Sequence, residues 1–274
     1  MPELPEVETI RKTLKQLVID ETIDDIEVKW ENIIKFPIVE EFKDLLIGQS
    51  IRDIRRRGKF LKFYLDDHVL VSHLRMEGNY SVHRQGEPFD KHTHVLFNFA
   101  SGQSLRYRDV RKFGTMHVFK KGEQNDIKPL NQLGPEPFDE TFTVEYFTER
   151  LERTTRMIKA VLLDQAVVAG LGNIYVDETL FKARVHPMRR ANTLTSDEIK
   201  AIRKYAIETL EEAIKQGGTT IRSYIDGHGE MGMFQQELYV YGQEDEPCKS
   251  CGQPIEKLKV SGRGTHICAA CQPL

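Results

Sequence analysis

The sequence predicts an α+β protein with more than one domain, and three observations support this prediction. Short segments rich in β-branched and aromatic residues recur between residues 22 and 119. Apolar residues at helical spacing occur at the start of the chain and again after residue 140. All four cysteines lie after residue 247. At 274 residues the chain is long enough to form two cores.

The chain begins with "MPELPEVET", which has the features of a helix start. Proline is tolerated in the first turn of a helix, and carboxylates are favoured at the positive end of its dipole. The apolar residues that follow at intervals of three or four are Val7, Ile10, Leu14 and Leu17. This spacing predicts one buried face. Helix formation does not explain Pro2, whose secondary amine becomes a potential covalent nucleophile if Met1 is removed.

The segment from residue 22 to 119 predicts an all-β body, namely a sandwich. Its strand-like segments are "VLVSHLRM", "THVLFNF", "SLRYRDV" and "TMHVF". Two basic runs, "RDIRRRGKFLK" and "RYRDVRK", have Phe60, Tyr107 and Phe113 in or beside them. Phosphates require cations and bases require stacking surfaces, so these runs favour a groove for a polyanion over two solvated strand faces. The net charge of −3 argues against a uniformly basic coat.

A polar, proline-containing segment from 120 to 139 predicts a linker, and a helical domain follows it. "TSDE" at 195–198 is a capping box that begins a helix ending near residue 217. The apolar face of this helix is Ile199, Ile202, Ala206, Leu210 and Ala213. Residues 157–182 predict a short helix, a glycine-rich turn and a second helix from near Asn173. The glycines would let backbone amides approach a phosphate, and a plain helical hairpin is the alternative.

The cysteines form two pairs, Cys248-x-x-Cys251 and Cys268-x-x-Cys271. No segment is long and apolar enough for a membrane span, and the acidic N-terminus lacks the features of a signal peptide, so we expect a cytoplasmic protein. In a reducing compartment the cysteine pattern predicts a tetrathiolate zinc site with a β-hairpin between the pairs. Two disulfides are the alternative, which such a compartment disfavours.

Three motifs together resemble the bacterial formamidopyrimidine-DNA glycosylase family: "PELPEVE" at the start, "GLGNIYVDE" in the helical part and "GRGTH" between the cysteine pairs. The resemblance extends from Met1 to Gln272, and "PELPEVET" and "RKFG" resemble the purine-lesion branch more than the related endonuclease VIII branch. It implies a β-sandwich with an N-terminal helix, a helix-two-turns-helix domain and a zinc-finger hairpin with one structural Zn²⁺. The predicted boundaries are 1–119 for the catalytic domain, 120–139 for the linker, 140–234 for the DNA-binding domain and 235–274 for the zinc finger.

The resemblance also implies catalytic residues. Pro2 would attack C1′ of the damaged nucleotide, and Glu3 would protonate the sugar ring, with Glu6 in support. Lys59 matches the lysine assigned to proton transfer in β-elimination. Arg263 matches the arginine associated with δ-elimination and phosphate binding.

A further set of residues would bind DNA, by the same resemblance. The DNA-contacting positions are His73, His92, Arg111, Lys159, Asn173 and Tyr241. Met76, Arg111 and Phe113 would fill the gap that an extruded base leaves, with core packing as the alternative for Met76 and Phe113. Glu77 and a mobile loop from Thr219 to Phe234 would recognise the lesion.

The function that follows is that of a monomeric, bifunctional enzyme of base excision repair acting on damaged double-stranded DNA. It would excise oxidised purines such as 8-oxoguanine and formamidopyrimidines, and then cleave the abasic strand by β- and δ-elimination. No membrane partner is expected, and the protein would be cytoplasmic and associated with the nucleoid when bound to DNA. Two alternatives remain, which are an oxidised-pyrimidine glycosylase of the same architecture and a non-catalytic, zinc-containing DNA-binding protein.

Overall fold

A computed structural model describes residues 1–219 and 233–274. Its α-helices are α1 (Leu4–Val18), α2 (Val39–Leu46), α3 (Val144–Glu152), α4 (Ile158–Leu162), α5 (Asn173–Lys182) and α6 (Ser196–Lys215). Its β-strands are β1 (Ile23–Val28), β2 (Ile34–Phe36), β3 (Asp53–Arg57), β4 (Phe60–Tyr64), β5 (His68–His73), β6 (Asn79–Arg84), β7 (Thr93–Phe99), β8 (Gln103–Arg108), β9 (Thr115–Lys120), β10 (Glu256–Val260) and β11 (Arg263–Ile267). The predicted α+β class is confirmed.

The described residues divide into two compact units. The first unit comprises Met1–Pro2 and Glu6–Asn131, and the second comprises Glu3–Pro5, Gln132–Thr219 and Met233–Leu274. The domain boundaries derived from the sequence stay a prediction.

Two sheets form the body of the first unit. One sheet has the strand order β1-β7-β8-β6, and the other has the order β2-β9-β5-β4-β3. Both are antiparallel except for the parallel pair β2 and β9. Alternate residues of each sheet, such as Phe97 and Phe63, enter one shared apolar core. This arrangement confirms the predicted sandwich, and β7 coincides with the segment "THVLFNF".

Arginines of the first basic run form ion pairs with acidic residues of the first unit. The shortest N–O distances of its ion pairs are 2.7 Å for Arg52–Asp66, 2.8 Å for Arg55–Asp53 and 3.2 Å for Arg56–Glu8. In the second run, Arg106 is buried and donates to the carbonyl of Glu87 at 2.7 Å. The interpretation of the whole runs as a polyanion groove is therefore wrong for Arg56 and Arg106, because their largely buried guanidinium groups already bind nearby acceptors. For Arg52 and Arg55, which are exposed, it stays a prediction.

Helices dominate the second unit, and α6 shows the predicted capping box. The Thr195 hydroxyl accepts from the Glu198 amide at 3.2 Å, and the Glu198 carboxylate accepts from the Thr195 amide at 2.7 Å. All five apolar residues predicted for one face of α6 are buried. The short helix α4 and the start of α5 at Asn173 also agree with the prediction.

The tail of the second unit is a hairpin of β10 and β11. Ser261 and Gly262 form its two-residue turn with φ of +50° and +78°, which places Arg263 at the first position of β11. Gln272 has no exposed surface and holds the end of the chain, because its side chain accepts from the Cys268 amide and donates to the Val185 carbonyl.

Within residues 1–219 and 233–274, no helix is both long and apolar enough to span a membrane.

Candidate active site

The N-terminal motif supplies a cap for helix α5 within the second unit. The first residues of α5 leave backbone amides without partners inside the helix, and its preceding residue, Gly172, has no side chain to bind them. The carboxylate of Glu3 accepts from the amides of Ile174 at 3.0 Å and Tyr175 at 3.4 Å. Glu3 is 2% exposed, so these two bonds hold its carboxyl group in a fixed, buried position at the start of α5.

The two glycines of the turn before α5 make room for the N-terminal motif. A Cβ at Gly172 would lie 2.3 Å from Cδ of Glu3, and a Cβ at Gly170 would lie 2.3 Å from Cδ1 of Leu4. The Leu4 amide also donates to the Gly170 carbonyl at 3.1 Å. The expectation that these glycines open the α5 amides to a phosphate is therefore wrong for Ile174 and Tyr175, whose amides bind Glu3.

Lys59 and His73 lie near each other in the first unit. Gly58 and Lys59 form the turn between β3 and β4, and His73 pairs with Phe60 across β4 and β5. Burial, assisted by the charges of Arg75 and Lys59, lowers the pKa of His73 to about 3. Its Nδ1 accepts from the Arg75 amide at 2.9 Å, so the neutral ring carries its proton on Nε2. His73 can therefore donate a hydrogen bond to an anion without being charged.

Two loops of the first unit carry the residues predicted to fill the gap after base extrusion. Met76 lies half-buried in the turn between β5 and β6, and Phe113 is 52% exposed in the loop between β8 and β9. The hydroxyl of Tyr107 packs against both loops, because a Cβ would lie 2.2 Å from it at Gly78 and 1.7 Å from it at Gly114. Tyr107 thus fixes both loops against one buried side chain.

Asp109 organises the second of these loops. Its carboxylate has no exposed surface and accepts from the amides of Arg111 at 3.0 Å, Phe113 at 2.8 Å and Gly114 at 2.8 Å. The Arg111 guanidinium lies 4.8 Å from the centre of the Phe113 ring. The sequence reasoning missed Asp109 as a loop organiser, although an acid followed by turn-forming residues is a signal for such a carboxylate-centred turn.

Three residues of the second unit were predicted to contact DNA. Asn173 begins α5, Tyr241 precedes the zinc finger, and Arg263 lies on the hairpin of the finger. The Asn173 amide group donates to the Gly264 carbonyl at 2.9 Å. Burial raises the pKa of Tyr241, and the nearby Asn173 side chain opposes this shift. Arg263 is exposed beside Gly264. The second unit therefore presents a guanidinium, an amide and a phenol together, which are groups that suit phosphate oxygens.

Lys159, predicted to contact DNA, has no exposed surface. Its ammonium donates to the Asp177 carboxylate at 2.6 Å, the Thr265 hydroxyl at 2.8 Å and the Gly264 carbonyl at 3.1 Å. These three bonds use all its protons, so the placement does not support a direct contact with DNA. Burial lowers the pKa of Lys159, and the carboxylate of Asp177 opposes this shift.

Two acids of α5 that the sequence reasoning did not single out position the zinc finger. Asp177 also accepts from the His266 amide of β11 at 3.0 Å. Glu178, 1% exposed, accepts from three successive amides at 2.9 Å each, those of residues 239, 240 and 241. Burial raises the pKa of Glu178, and these amides oppose the shift. Adjacent acids inside an otherwise apolar helix are the sequence signal that could have found them.

The four cysteines form the predicted metal centre. Their sulfur atoms, those of Cys248, Cys251, Cys268 and Cys271, all lie within 4.8 Å of one another. The Cys248–Cys271 and Cys251–Cys268 distances are 3.9 and 3.4 Å, near the ~3.8 Å between sulfurs on tetrahedral zinc and well beyond a disulfide bond. Four thiolates leave no open coordination position, so the site holds one structural Zn²⁺.

The remaining candidates among the described residues differ in exposure. In the first unit Pro2 and Glu6 are buried, and Glu77 and His92 are half-buried. Of the predicted lesion loop from Thr219 to Phe234, residues 220–232 lie outside the described residues.

Three family models match successive parts of the chain. They are the formamidopyrimidine-DNA glycosylase N-terminal domain over residues 1–116, the formamidopyrimidine-DNA glycosylase H2TH domain over 133–224 and the zinc finger found in FPG and IleRS over 245–274. The predicted helix-two-turns-helix domain and zinc finger are thereby confirmed.

Relatives match along their full length. The chain is 62% identical to a formamidopyrimidine-DNA glycosylase of Oceanobacillus iheyensis, covering 100% of this chain and 98% of that protein, and 58% identical to one of Bacillus subtilis, covering 99% of each. A complex between Lactococcus lactis Fpg and DNA containing an abasic site superposes with a TM-score of 0.94 at 43% identity and full coverage of both chains. A complex of the same enzyme with N7-benzyl-Fapy-dG DNA gives the same values.

Proposed function

Because this chain belongs to the formamidopyrimidine-DNA glycosylase family, we propose that Pro2, after removal of Met1, is the nucleophile of its reaction. The protein is a DNA glycosylase of base excision repair, its partner is damaged double-stranded DNA, and lyase activity is consistent with the family. One observation carries the residue-level proposal. The Glu3 carboxylate, one residue after Pro2, is anchored by two amides of α5.

The proposed chemistry uses the secondary amine of Pro2. Its lone pair attacks C1′ of the damaged nucleotide, the bond from C1′ to the base breaks, and the base leaves with the proton that the amine loses. Glu3 donates a proton to the ring oxygen O4′, and the C1′–O4′ bond breaks, which opens the sugar. The product is a cationic imine between Pro2 and the open sugar, which acts as an electron sink. Loss of a proton from C2′ then expels the 3′ phosphate, and a second elimination expels the 5′ phosphate. Water finally releases the sugar fragment from Pro2.

Each unit supplies cationic or hydrogen-bonding groups for the backbone of DNA. In the first unit, we assign proton transfer in the first elimination to Lys59 and a phosphate contact to the Nε2–H of His73. In the second unit, Asn173, Tyr241 and Arg263 suit a phosphate, and Arg263 also assists the second elimination. His92 would contact DNA from its position before β7. The ammonium of Lys159 is buried and fully bonded, so Lys159 is proposed to hold the hairpin next to Arg263 and not to contact DNA directly.

Met76, Arg111 and Phe113 are proposed to occupy the space left by the extruded base. A phenyl ring that is 52% exposed and held by a buried carboxylate is suited to stack on bases rather than to fill a core. The adjacent guanidinium of Arg111 can donate to the acceptors of the unpaired partner base. Glu77 is proposed to contact the lesion, and the buried Glu6 is proposed to support Glu3.

The substrate class follows from family membership, and we propose oxidised purines, with 8-oxoguanine and formamidopyrimidines as examples. We further propose that the protein acts as a monomer in the bacterial cytoplasm, on the nucleoid, where its DNA substrate lies.

Defined duplexes test this function. A duplex with one 8-oxoguanine should be cut to leave a phosphate on both sides of a one-nucleoside gap, as two eliminations require. A matched thymine-glycol duplex should be cut more slowly. Faster cutting of thymine glycol would favour the oxidised-pyrimidine glycosylase instead, and a product that retains a sugar fragment would contradict the second elimination.

A further inference from the structure

The turn before α5 contains a glycine that its backbone does not require. Gly172 has φ −132° and ψ −162°, an ordinary extended conformation that alanine also adopts. Glycine is required at this position for steric reasons. A Cβ there would lie 2.3 Å from Cδ of Glu3 and 2.5 and 2.6 Å from its two carboxylate oxygens. The three nearest atoms to that missing methyl group all belong to the Glu3 carboxylate.

We propose that Gly172 is a positioning residue for Glu3 in base excision. The end of a glutamate side chain moves easily, so an alanine methyl at residue 172 would displace the carboxylate rather than unfold the unit. The displaced carboxylate would lose its bonds from the amides of Ile174 and Tyr175, now 3.0 and 3.4 Å long. This inference rests on the proposed role of Glu3 as the group that protonates the sugar ring.

Other glycines of the second unit have different neighbours. At Gly134 a Cβ would lie 2.6 and 2.8 Å from the carbonyl oxygens of Ala166 and Val167, which are backbone atoms. At Gly170 φ is +106°, so alanine there is strained whatever the space. Gly134→Ala is therefore the matched control: the same substitution disturbs the same unit without meeting Glu3.

Two reactions of the enzyme distinguish a displaced Glu3 from a general loss of structure. Removing an intact base requires the sugar ring to open during the reaction, which is the step assigned to Glu3. At a preformed abasic site the base is already gone, and the sugar exchanges with its open aldehyde form in water. Pro2 can then add to the aldehyde, whose oxygen leaves as water with one proton from the amine and one from solvent. A displaced Glu3 should therefore slow excision and leave abasic-site cleavage nearly unchanged.

The test compares single-turnover rates on an 8-oxoguanine duplex and on a preformed abasic duplex. For Gly172→Ala we expect excision to fall about tenfold or more, a barrier increase of about 1.4 kcal/mol per tenfold, with abasic cleavage within about threefold of the parent. Glu3→Gln should show the same split, and the double variant should excise no more slowly than Glu3→Gln alone. Gly134→Ala should lower the melting temperature and change both rates by a similar factor.

The outcomes distinguish the positioning role of Gly172 from the proposed role of Glu3. If Glu3→Gln slows both reactions equally, the role proposed for Glu3 is wrong. If Glu3→Gln splits the two rates but Gly172→Ala slows both equally or neither, only the positioning role of Gly172 is wrong. If Gly172→Ala folds poorly, Glu3→Asp withdraws the carboxylate by one methylene in the parent background. Unchanged excision by Glu3→Asp would then contradict the need for this position.

Discussion

Replacing Asp177 by Ala should destabilise the second unit more than a typical substitution. Asp177 and Lys159 both have no exposed surface, and their charged groups lie 2.6 Å apart. Removal of the carboxylate leaves the ammonium buried with two neutral acceptors and removes the acceptor of the His266 amide at 3.0 Å. Breaking a buried pair in this way costs about 3–5 kcal/mol of unfolding free energy. The Gly264 carbonyl bound by Lys159 adjoins Arg263, so binding to DNA should weaken as well.

Urea unfolding measures this effect with an internal control. Far-UV circular dichroism follows mainly the helices of the second unit, since α3 to α6 lie there and only α2 and most of α1 lie in the first. The fluorescence of Trp30, the one tryptophan of the chain, reports the first unit. The Asp177→Ala transition should move to lower urea by dichroism and stay in place by fluorescence. The double variant Lys159→Met/Asp177→Leu should recover most of the loss, because an apolar pair leaves no unpaired buried charge. A loss below about 1 kcal/mol for Asp177→Ala would refute the reasoning, because a typical point substitution that breaks no buried ion pair already costs about 1 kcal/mol.

Three further predictions concern pH, a loop and the metal. The pKa of His73 falls from 6.5 in the unfolded state to about 3 in the folded state, so the unfolded state binds more protons between these pH values. The free energy of unfolding should therefore be highest above pH 6.5 and fall by up to about 1.4 kcal/mol per pH unit towards pH 3. His73→Gln should flatten this slope in urea titrations, and an unchanged slope would contradict the burial of a neutral ring. Asp109→Ala removes the acceptor of three amides and should reduce 8-oxoguanine excision much more than abasic-site cleavage. The control is Asp44→Ala, which removes an exposed acid of α2, and equal effects of the two variants would count against Asp109 as loop organiser. Removing zinc with a chelator, or replacing Cys251 by Ser, should weaken binding to abasic-site DNA at least as much as Arg263→Ala does. The salt dependence of the binding constant should also decrease by about one charge. Unchanged affinity would mean that the finger only stabilises the C-terminus.

Features set by neighbouring residues were predictable from the sequence. The capping box at Thr195 and Glu198, the apolar face of α6 and the two cysteine pairs depend on spacing along the chain, and each forms as expected. The amine of Pro2 was a candidate from the sequence itself, whereas resemblance to a family supplied the roles of Glu3, Lys59 and Arg263.

Features set by distant contacts were not predictable in the same way. The bond from the Ile174 amide to Glu3 joins residues that are 171 positions apart, so neither motif by itself shows why the other is present. In the sequence, Tyr107 has the features of an ordinary strand residue. The structure shows that its hydroxyl packs against Gly78 and Gly114. The basic runs misled for a related reason, because the acid that pairs with Arg56 is Glu8, on a different element.

Borohydride trapping tests the central claim, that Pro2 is the covalent nucleophile, most directly. The protein is mixed with an 8-oxoguanine duplex and borohydride, which reduces the imine to a stable amine. Intact mass then reports whether Met1 is absent, and digestion locates the adduct. The account predicts a covalent adduct on the N-terminal peptide, at Pro2 of protein that lacks Met1. An adduct at Lys59, or efficient trapping of protein that retains Met1, would contradict it.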